Sequence, residues 1–115
     1  MQFILLAYAD PKGFAALKPE ETQKAMAAYA AFGAALTKEG AMVASNRLRP
    51  TTDATTVRIA NGKTQVLNGP YAETKEELGG YFLIDVADKD AALAWAARCP
   101  AAGHGVVEVR PVWSM

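Results

Sequence analysis

Cysteine, histidine and serine are scarce in this sequence. Its 115 residues include one cysteine (Cys99), one histidine (His104) and two serines. A single cysteine excludes an intramolecular disulfide and fits a reducing compartment. One histidine and one cysteine cannot supply the usual ligands of a zinc site, so we expect no metal. Neither serine lies in a G-x-S-x-G motif, and the absence of a P-loop and of a G-x-G-x-x-G motif gives no reason to expect a cofactor.

Long hydrophobic runs and an excess of one charge are also missing. The 12 basic and 12 acidic residues leave a formal net charge of zero, which argues against a partner with the charge of duplex nucleic acid. No apolar run reaches the roughly 18 residues of a membrane helix. The apolar first residues lack the positive region of a signal peptide. We therefore expect a cytoplasmic protein without a membrane partner, folded as one domain over residues 1–115.

The hydrophobic pattern predicts strands and helices in a definite order. Residues 2–8 and 80–86 are apolar on both alternating faces, which is typical of central strands covered on both sides. Asn61-Gly62 separates two alternating runs and predicts a β-hairpin. Pro19 and Asp88 are suited to begin two helices, at the first helical position and at the N-cap respectively. The remaining boundaries are strands at 42–49, 55–60, 63–67 and 105–113, and helices at 19–39 and 89–98.

This order predicts an α+β fold: a ferredoxin-like split β-α-β arrangement with an inserted β-hairpin. Two helices can cover only one face of the sheet, whereas the central strands are apolar on both. The second face would otherwise expose a patch of hundreds of Å². We therefore expect a homodimer that packs sheet against sheet, with room for a ligand pocket lined by the same face.

The chemistry-bearing candidates lie in the polar segment 68–80 and on the strand 42–49. Glu73, Lys75 and Glu76 lie within a few residues, and crowded charges of this kind can shift pKa values toward acid–base work. The alternative is a solvated, salt-bridged loop that orders the dimer. Arg47 and Arg49 share one face of a strand, where an arginine pair can clamp a carboxylate or phosphate or simply be surface charge.

Other side chains have simpler interpretations. Asp10 begins a turn, and Tyr8 ends the first strand, where ligand-binding groups often project. His104 lies in a glycine-flanked loop and must carry any histidine acid–base chemistry. Cys99 is expected to be a buried small hydrophobe, and both tryptophans, at 95 and 113, are expected to anchor the core.

The segment 68–84, Asn-Gly-Pro-Tyr-Ala-Glu-Thr-Lys-Glu-Glu-Leu-Gly-Gly-Tyr-Phe-Leu-Ile, resembles the YCII-related superfamily in its DGPF (DGPFAETKE) branch. The opening strand, Leu48-Arg49-Pro50 and the closing stretch 107–112 agree with it. Two positions depart from the motif: Asn68 replaces its aspartate and Tyr71 its phenylalanine. Asn68 cannot act as an acid or base, but it can keep a turn-forming hydrogen bond.

The resemblance implies a ferredoxin-like fold that pairs as a dimeric α/β barrel. It also implies an association with sigma factors of the extracytoplasmic-function type, beside which such domains are often encoded. Enzymes of the wider superfamily that act on chlorinated muconate-type compounds use a histidine on the first helix. Residues 19–39 contain no histidine, so that mechanism is not transferred.

Three functions remain open at this point. The first is a small-molecule-binding protein, with a sensing role beside a sigma factor and a pocket at the dimer barrel. The second is a cofactor-independent lyase or hydrolase acting on a small acidic molecule, with Glu73 or Glu76 as the acid–base group. The third is a structural or protein-interaction dimer. The residues expected to bind a ligand are Tyr8, Arg47, Asn68, Tyr71 and Lys75.

Overall fold

A computed structural model describes residues 1–114 as a four-stranded antiparallel sheet, a separate hairpin and four helices. The strands are β1 (Gln2–Ala9), β2 (Met42–Arg47), β3 (Thr55–Ala60), β4 (Lys63–Asn68), β5 (Glu77–Asp85) and β6 (Val106–Pro111). The helices are α1 (Pro11–Ala15), α2 (Pro19–Lys38), α3 (Lys89–Arg98) and α4 (Ala101–His104), with a 3₁₀ turn at Thr51–Asp53.

The sheet has the strand order β2-β5-β1-β6, so β1 and β5 are central, as their two-sided apolar pattern predicts. With β3 and β4 set aside, this order is compatible with a ferredoxin-like fold. β6, which ends at Pro111, lies at the margin of the sheet, where a residue without a backbone N–H is tolerated.

One face of the sheet carries the core. Phe3 and Leu5 of β1 are fully buried together with Ile84 of β5, and the helices close over them with Phe32 and Leu36. The alternate side chains of β1, including Ile4 and Leu6, point to the face without helices and are half-buried. The helices thus cover one face and leave the other open, as expected.

The helix α3 contributes small side chains to this core. Ala92, Ala96 and Cys99 are buried, and Trp95 packs its ring edge against Phe32 at a centroid distance of 6.1 Å. The predictions for Trp95 and Cys99 are therefore confirmed. The prediction for Trp113 is wrong: this side chain is 89% exposed, because β6 ends at Pro111 and no layer lies beyond it.

Two local predictions also need correction. The turn expected at residues 10–13 is the start of α1, since the Asp10 carboxylate accepts the Lys12 backbone N–H at 2.9 Å and Pro11 occupies the first turn. The loop expected from 68 to 80 is shorter, because β5 begins at Glu77. Gly80 is part of the ladder, where a Cβ would come within 2.9 Å of the Asn46 carbonyl oxygen.

The hairpin β3–β4 forms a two-stranded sheet of its own. Asn61 and Gly62 have φ of 52° and 73°, which are the positive values of a tight hairpin turn. The molecule measures 48 × 44 × 18 Å, and its radius of gyration is 16.1 Å. A compact domain of this length has a radius of gyration of about 13 Å, so the molecule is flat and extended.

Candidate functional site

One end of the sheet collects most of the predicted site residues. Arg47, the last residue of β2, lies opposite Gly80 of β5. Tyr8, near the end of β1, lies between Leu78 and Val106. The polar segment enters β5 at this end, and His104 lies just before β6. Strand pairing thus brings together groups that are far apart in sequence.

Arg47 lies on the face of the sheet that the helices cover. Its guanidinium carbon is 5.5 Å from the centroid of the Phe14 ring, and Nη1 is 3.6 Å from the Met26 sulfur. Residues 1–114 contain three ion pairs, and Arg47 is in none of them. Arg47 is exposed, and its guanidinium lies against a ring and a thioether, which leave most of its N–H donors free for an anion.

Tyr29 and His104 form a contact in the same region. The Tyr29 hydroxyl is 3.3 Å from His104 Nε2, and the two rings meet edge to face at 6.3 Å. Burial raises the pKa of Tyr29, the nearby Cys99 acts in the same direction, and the charge of Arg47 opposes them. Tyr29 therefore keeps its proton near neutral pH and can donate a hydrogen bond.

Cys99 lies at the C-terminal end of α3 and is 2% exposed. Burial raises the pKa of its thiol, although a hydrogen bond with the backbone of Ala101 partly offsets this. A buried thiol with a raised pKa is a poor nucleophile. Its role is therefore packing.

Tyr8 does not share a face with Arg47. Along β1 the side chains alternate, and Phe3 and Leu5 occupy the helix side. Tyr8 follows Ile4 and Leu6 on the open face. The structure therefore brings Tyr8 and Arg47 to one end of the sheet but to opposite sides of it.

The polar segment is held by backbone contacts at its beginning and lies in solvent beyond them. Gly69 donates its N–H to the Ala54 carbonyl oxygen at 2.8 Å and accepts the Thr56 hydroxyl at 2.8 Å. Asn68 is exposed at the end of β4. Tyr71 is 76% exposed, and its ring centroid is 5.7 Å from the Arg58 guanidinium carbon.

The charged side chains of the segment are not paired with each other. Glu73 and Lys75 are exposed, and Glu76 is half-buried. Within residues 1–114 no ion pair joins Lys75 to either glutamate. The Thr74 hydroxyl bonds instead to the Glu76 carbonyl oxygen and shapes the turn. In the single chain these carboxylates have the surroundings of surface groups.

The sequence singles out Arg47 and His104 as candidates, whereas Tyr29, Phe14 and Met26 carry no local signal of a site. Tyr29 and His104 are separated by 75 residues. No local sequence pattern predicts such a contact. The available signals were a lone histidine close to a short loop and a tyrosine in the middle of a helix.

Other site types find little support in the part of the chain that the structure describes. No three histidine, cysteine, aspartate or glutamate side chains there come together in a way that could hold a metal ion. The helices of residues 1–114 are all too short or too polar to cross a membrane. A depression of about 390 Å³ lies at the other end of β1, lined by Met1, Gln2, Val112, Trp113 and Ser114.

The comparison with known proteins agrees with the fold. The model of the YCII-related domain matches residues 1–115. An uncharacterized protein from Rhizobium meliloti (strain 1021) is 39% identical over 114 residues, covering 97% of this chain and 92% of the relative. The match extends over the sheet, the hairpin and the helices alike. The chain therefore belongs to the YCII-related domain family.

Proposed function

We propose that this YCII-related protein is a homodimeric binding domain for a small anionic molecule and that Arg47 is the anchor of the anion. The observation that carries the proposal is the surroundings of Arg47. Its guanidinium has no acidic partner within residues 1–114 and lies against Phe14 and Met26. Tyr29 and His104 contact each other in the same region.

The chemistry of these groups favours a carboxylate or phosphate ligand. A guanidinium is planar, always charged, and matches both anions with two parallel hydrogen bonds. Phe14 holds the guanidinium through its ring face without consuming hydrogen-bond donors. The Tyr29–His104 pair leaves one further donor free: the Tyr29 O–H where Nε2 donates to the Tyr29 oxygen, or the His104 Nδ1–H where Tyr29 donates to Nε2. An apolar part of the ligand would contact Phe14 and Met26.

The residues of the polar segment have a secondary role in this proposal. Asn68, Tyr71 and Lys75 remain candidates for ligand contact across the dimer. The alternative of an acid–base enzyme that uses Glu73 or Glu76 is not favoured by any contact, because Glu73 is exposed, Glu76 is half-buried, and no ion pair within residues 1–114 involves either carboxylate. Their exposure is closer to what an interaction surface requires.

The homodimer is supported by the open face of the sheet. Ile4, Leu6 and Leu83 lie there without a helix above them, and a second copy would cover them. Pairing as an α/β barrel, membership of the DGPF branch and a sigma-factor partner are further proposals that rest on the motif at 68–84. None of them is needed for the Arg47 site.

The binding test is a thermal-shift screen with cis,cis-muconate, simple dicarboxylates and inorganic phosphate. A ligand at 100 times its dissociation constant adds about 2.7 kcal/mol to the free energy of unfolding, which is a shift of roughly 10 °C at this chain length. The shift should vanish in Arg47→Ala and persist in the matched control Arg49→Ala, whose side chain is paired only with Asp53 on the surface. A shift that survives in Arg47→Ala overturns the assignment of the anchor.

The dimer has its own test. Light scattering at micromolar concentration should give about twice the chain mass of 12.2 kDa. A monomeric mass overturns the homodimer and leaves the Arg47 site to be judged by the ligand screen alone.

A further inference from the structure

We propose that the hairpin β3–β4 (Thr55–Asn68, called the arm here) reaches onto the second copy and that its basic side chains meet the partner's acidic segment at residues 73–77. This inference rests on the proposed homodimer. It adds a contact surface that lies outside both the open sheet face and the Arg47 site.

The arm stands apart from the rest of the chain. β3 and β4 pack on each other, and neither has more than marginal contact with another helix or strand. The flat, extended shape of the molecule follows from this. A two-stranded hairpin alone in water is marginally stable at best, so an arm of this kind is expected to gain stability from a surface that covers it.

One face of the arm carries an apolar stripe. Val57 and Val66 are opposite each other in the ladder, and Ile59 lies two residues along the same face. Their side chains are 61%, 64% and 73% exposed respectively. β-branched side chains in strands are normally packed against a neighbouring layer. In the proposed dimer the stripe packs on the second copy, and Arg58 and Lys63, which lie on the other face of the arm, meet the partner's acidic segment.

The area of the sheet face indicates why a dimer would use the arm. Four strands about 4.8 Å apart and six residues long at about 3.3 Å each give a footprint of roughly 400 Å². A standard stable interface buries about 800 Å² on each partner. Two arms, related by the twofold axis, would add their stripes on either side of the sheets.

Charge complementarity selects a second copy as the occupant. The arm contains two basic residues, Arg58 and Lys63, and no acidic one, whereas the segment 73–77 contains three glutamates and one lysine. The net charges are thus equal and opposite, +2 and −2. No ion pair within residues 1–114 uses a side chain of either segment. In a symmetric dimer the contact between them forms twice.

The tip of the arm lies far from its base, after which its own acidic segment follows in the chain. Lys63 begins β4 beside the turn and Asn68 ends it, so the two lie about 17 Å apart. The acidic segment follows the base of the arm after four residues. Lys63 is therefore separated from the base by most of the length of β4, whereas Arg58 lies midway along β3, beside Tyr71 of its own chain.

The test uses two charge-reversed variants and their mixture. In Arg58→Glu/Lys63→Glu both segments of the chain are acidic, and in Glu73→Lys/Glu76→Lys both are basic. Each variant alone should raise the dimer dissociation constant by about tenfold or more at low salt, measured by analytical ultracentrifugation. When the two are mixed, every arm meets a segment of opposite charge, and native mass spectrometry should show the heterodimer in excess over both homodimers.

Two controls separate this contact from general effects. Lys24→Glu/Lys89→Glu changes the net charge by the same amount on exposed helix positions and should leave the dissociation constant unchanged. Val57→Thr/Ile59→Thr should weaken the dimer, whereas Leu93→Thr, on helix α3 and 43% exposed, should not. Circular dichroism checks that each variant is folded.

The outcomes distinguish a failure of the proposed arm contact from a failure of the proposed homodimer. A dimeric wild type whose dissociation constant is unchanged by the stripe and charge variants overturns the arm and leaves the homodimer standing. Failure of the mixed variants to prefer the heterodimer overturns the charge pairing across copies. A monomeric wild type overturns both the arm and the homodimer.

Discussion

A substitution of Gly105 tests how closely β1 and β6 approach each other next to the candidate site. It lies between α4 and β6, where the backbone of β6 begins to pair with β1. A Cβ at this position would overlap the carbonyl oxygen of Tyr8 and lie 3.1 Å from Ala9 Cα. Both neighbours are backbone atoms, which cannot rotate away as a side chain can. Gly105→Ala must therefore shift β1 against β6.

The magnitude follows from the kind of atoms that collide. Overpacking against flexible side chains costs about 1–3 kcal/mol, and a backbone obstacle places this substitution at the upper part of that range. A loss of 2–3 kcal/mol corresponds to a fall in Tm of roughly 8–12 °C for a chain of this length. Because His104 precedes the glycine, the same shift should weaken its contact with Tyr29 and reduce ligand-induced stabilisation.

The assay is thermal and urea unfolding of Gly105→Ala beside Gly103→Ala. A Cβ at Gly103 would meet nothing within 4 Å, and alanine is the better helix former by up to about 1 kcal/mol. The control should therefore be as stable as the wild type or slightly more stable. If Gly105→Ala unfolds within 2 °C of the control, the close approach of β1 and β6 at this point is refuted.

Three further predictions concern the core, the thiol and the hairpin. Leu36→Ala removes a fully buried side chain and should lower the free energy of unfolding in urea by about 2–5 kcal/mol. Leu93 is 43% exposed, so Leu93→Ala should lower it by less than about 1 kcal/mol. Equal losses in the two variants would contradict the assigned core. Burial raises the pKa of the Cys99 thiol and that of the Tyr29 hydroxyl above their ordinary values, so the unfolded chain releases these protons first. The free energy of unfolding should therefore fall as pH rises through the ordinary pKa of a thiol, about 8.5. In Cys99→Ala the fall should begin nearer pH 10, and an unchanged pH profile would show that the thiol does not titrate differently in the two states. Gly62→Ala places a side chain at φ 73° and should destabilise the hairpin by about 1 kcal/mol. Hydrogen exchange should detect this as faster exchange of the hairpin amides, and unchanged exchange rates would contradict the tight turn.

Much of the fold could be predicted from local pattern. The two-sided apolar runs identified the central strands, and Asn61-Gly62 identified the hairpin, because both signals depend on residues close in sequence. The start of β5 was placed three residues late, because Gly79-Gly80 resembles a break. Residues 77–79 also belong to the strand, and at Gly80, which the prediction included, the Asn46 carbonyl leaves no room for a side chain.

The candidate site was less accessible to such reasoning. Arg47 was identified by its strand position, but its neighbours come from two helices that the sheet brings together. Trp113 was assigned to the core on size alone, and it is exposed because the strand before it ends at Pro111. Side-chain size favours burial, yet topology decides whether a layer is present to bury it.

The separation of the hairpin from the core has a consequence for how such chains can diverge. Substitutions in β3 and β4 change the surface presented to other molecules without altering the packing around Leu5 and Ile84. If the hairpin contacts the second copy as proposed above, partner choice and foldability can change nearly independently in this architecture. Related chains in one cell could be kept from mixing by their hairpins alone, through mismatched charges that act against the wrong pairing.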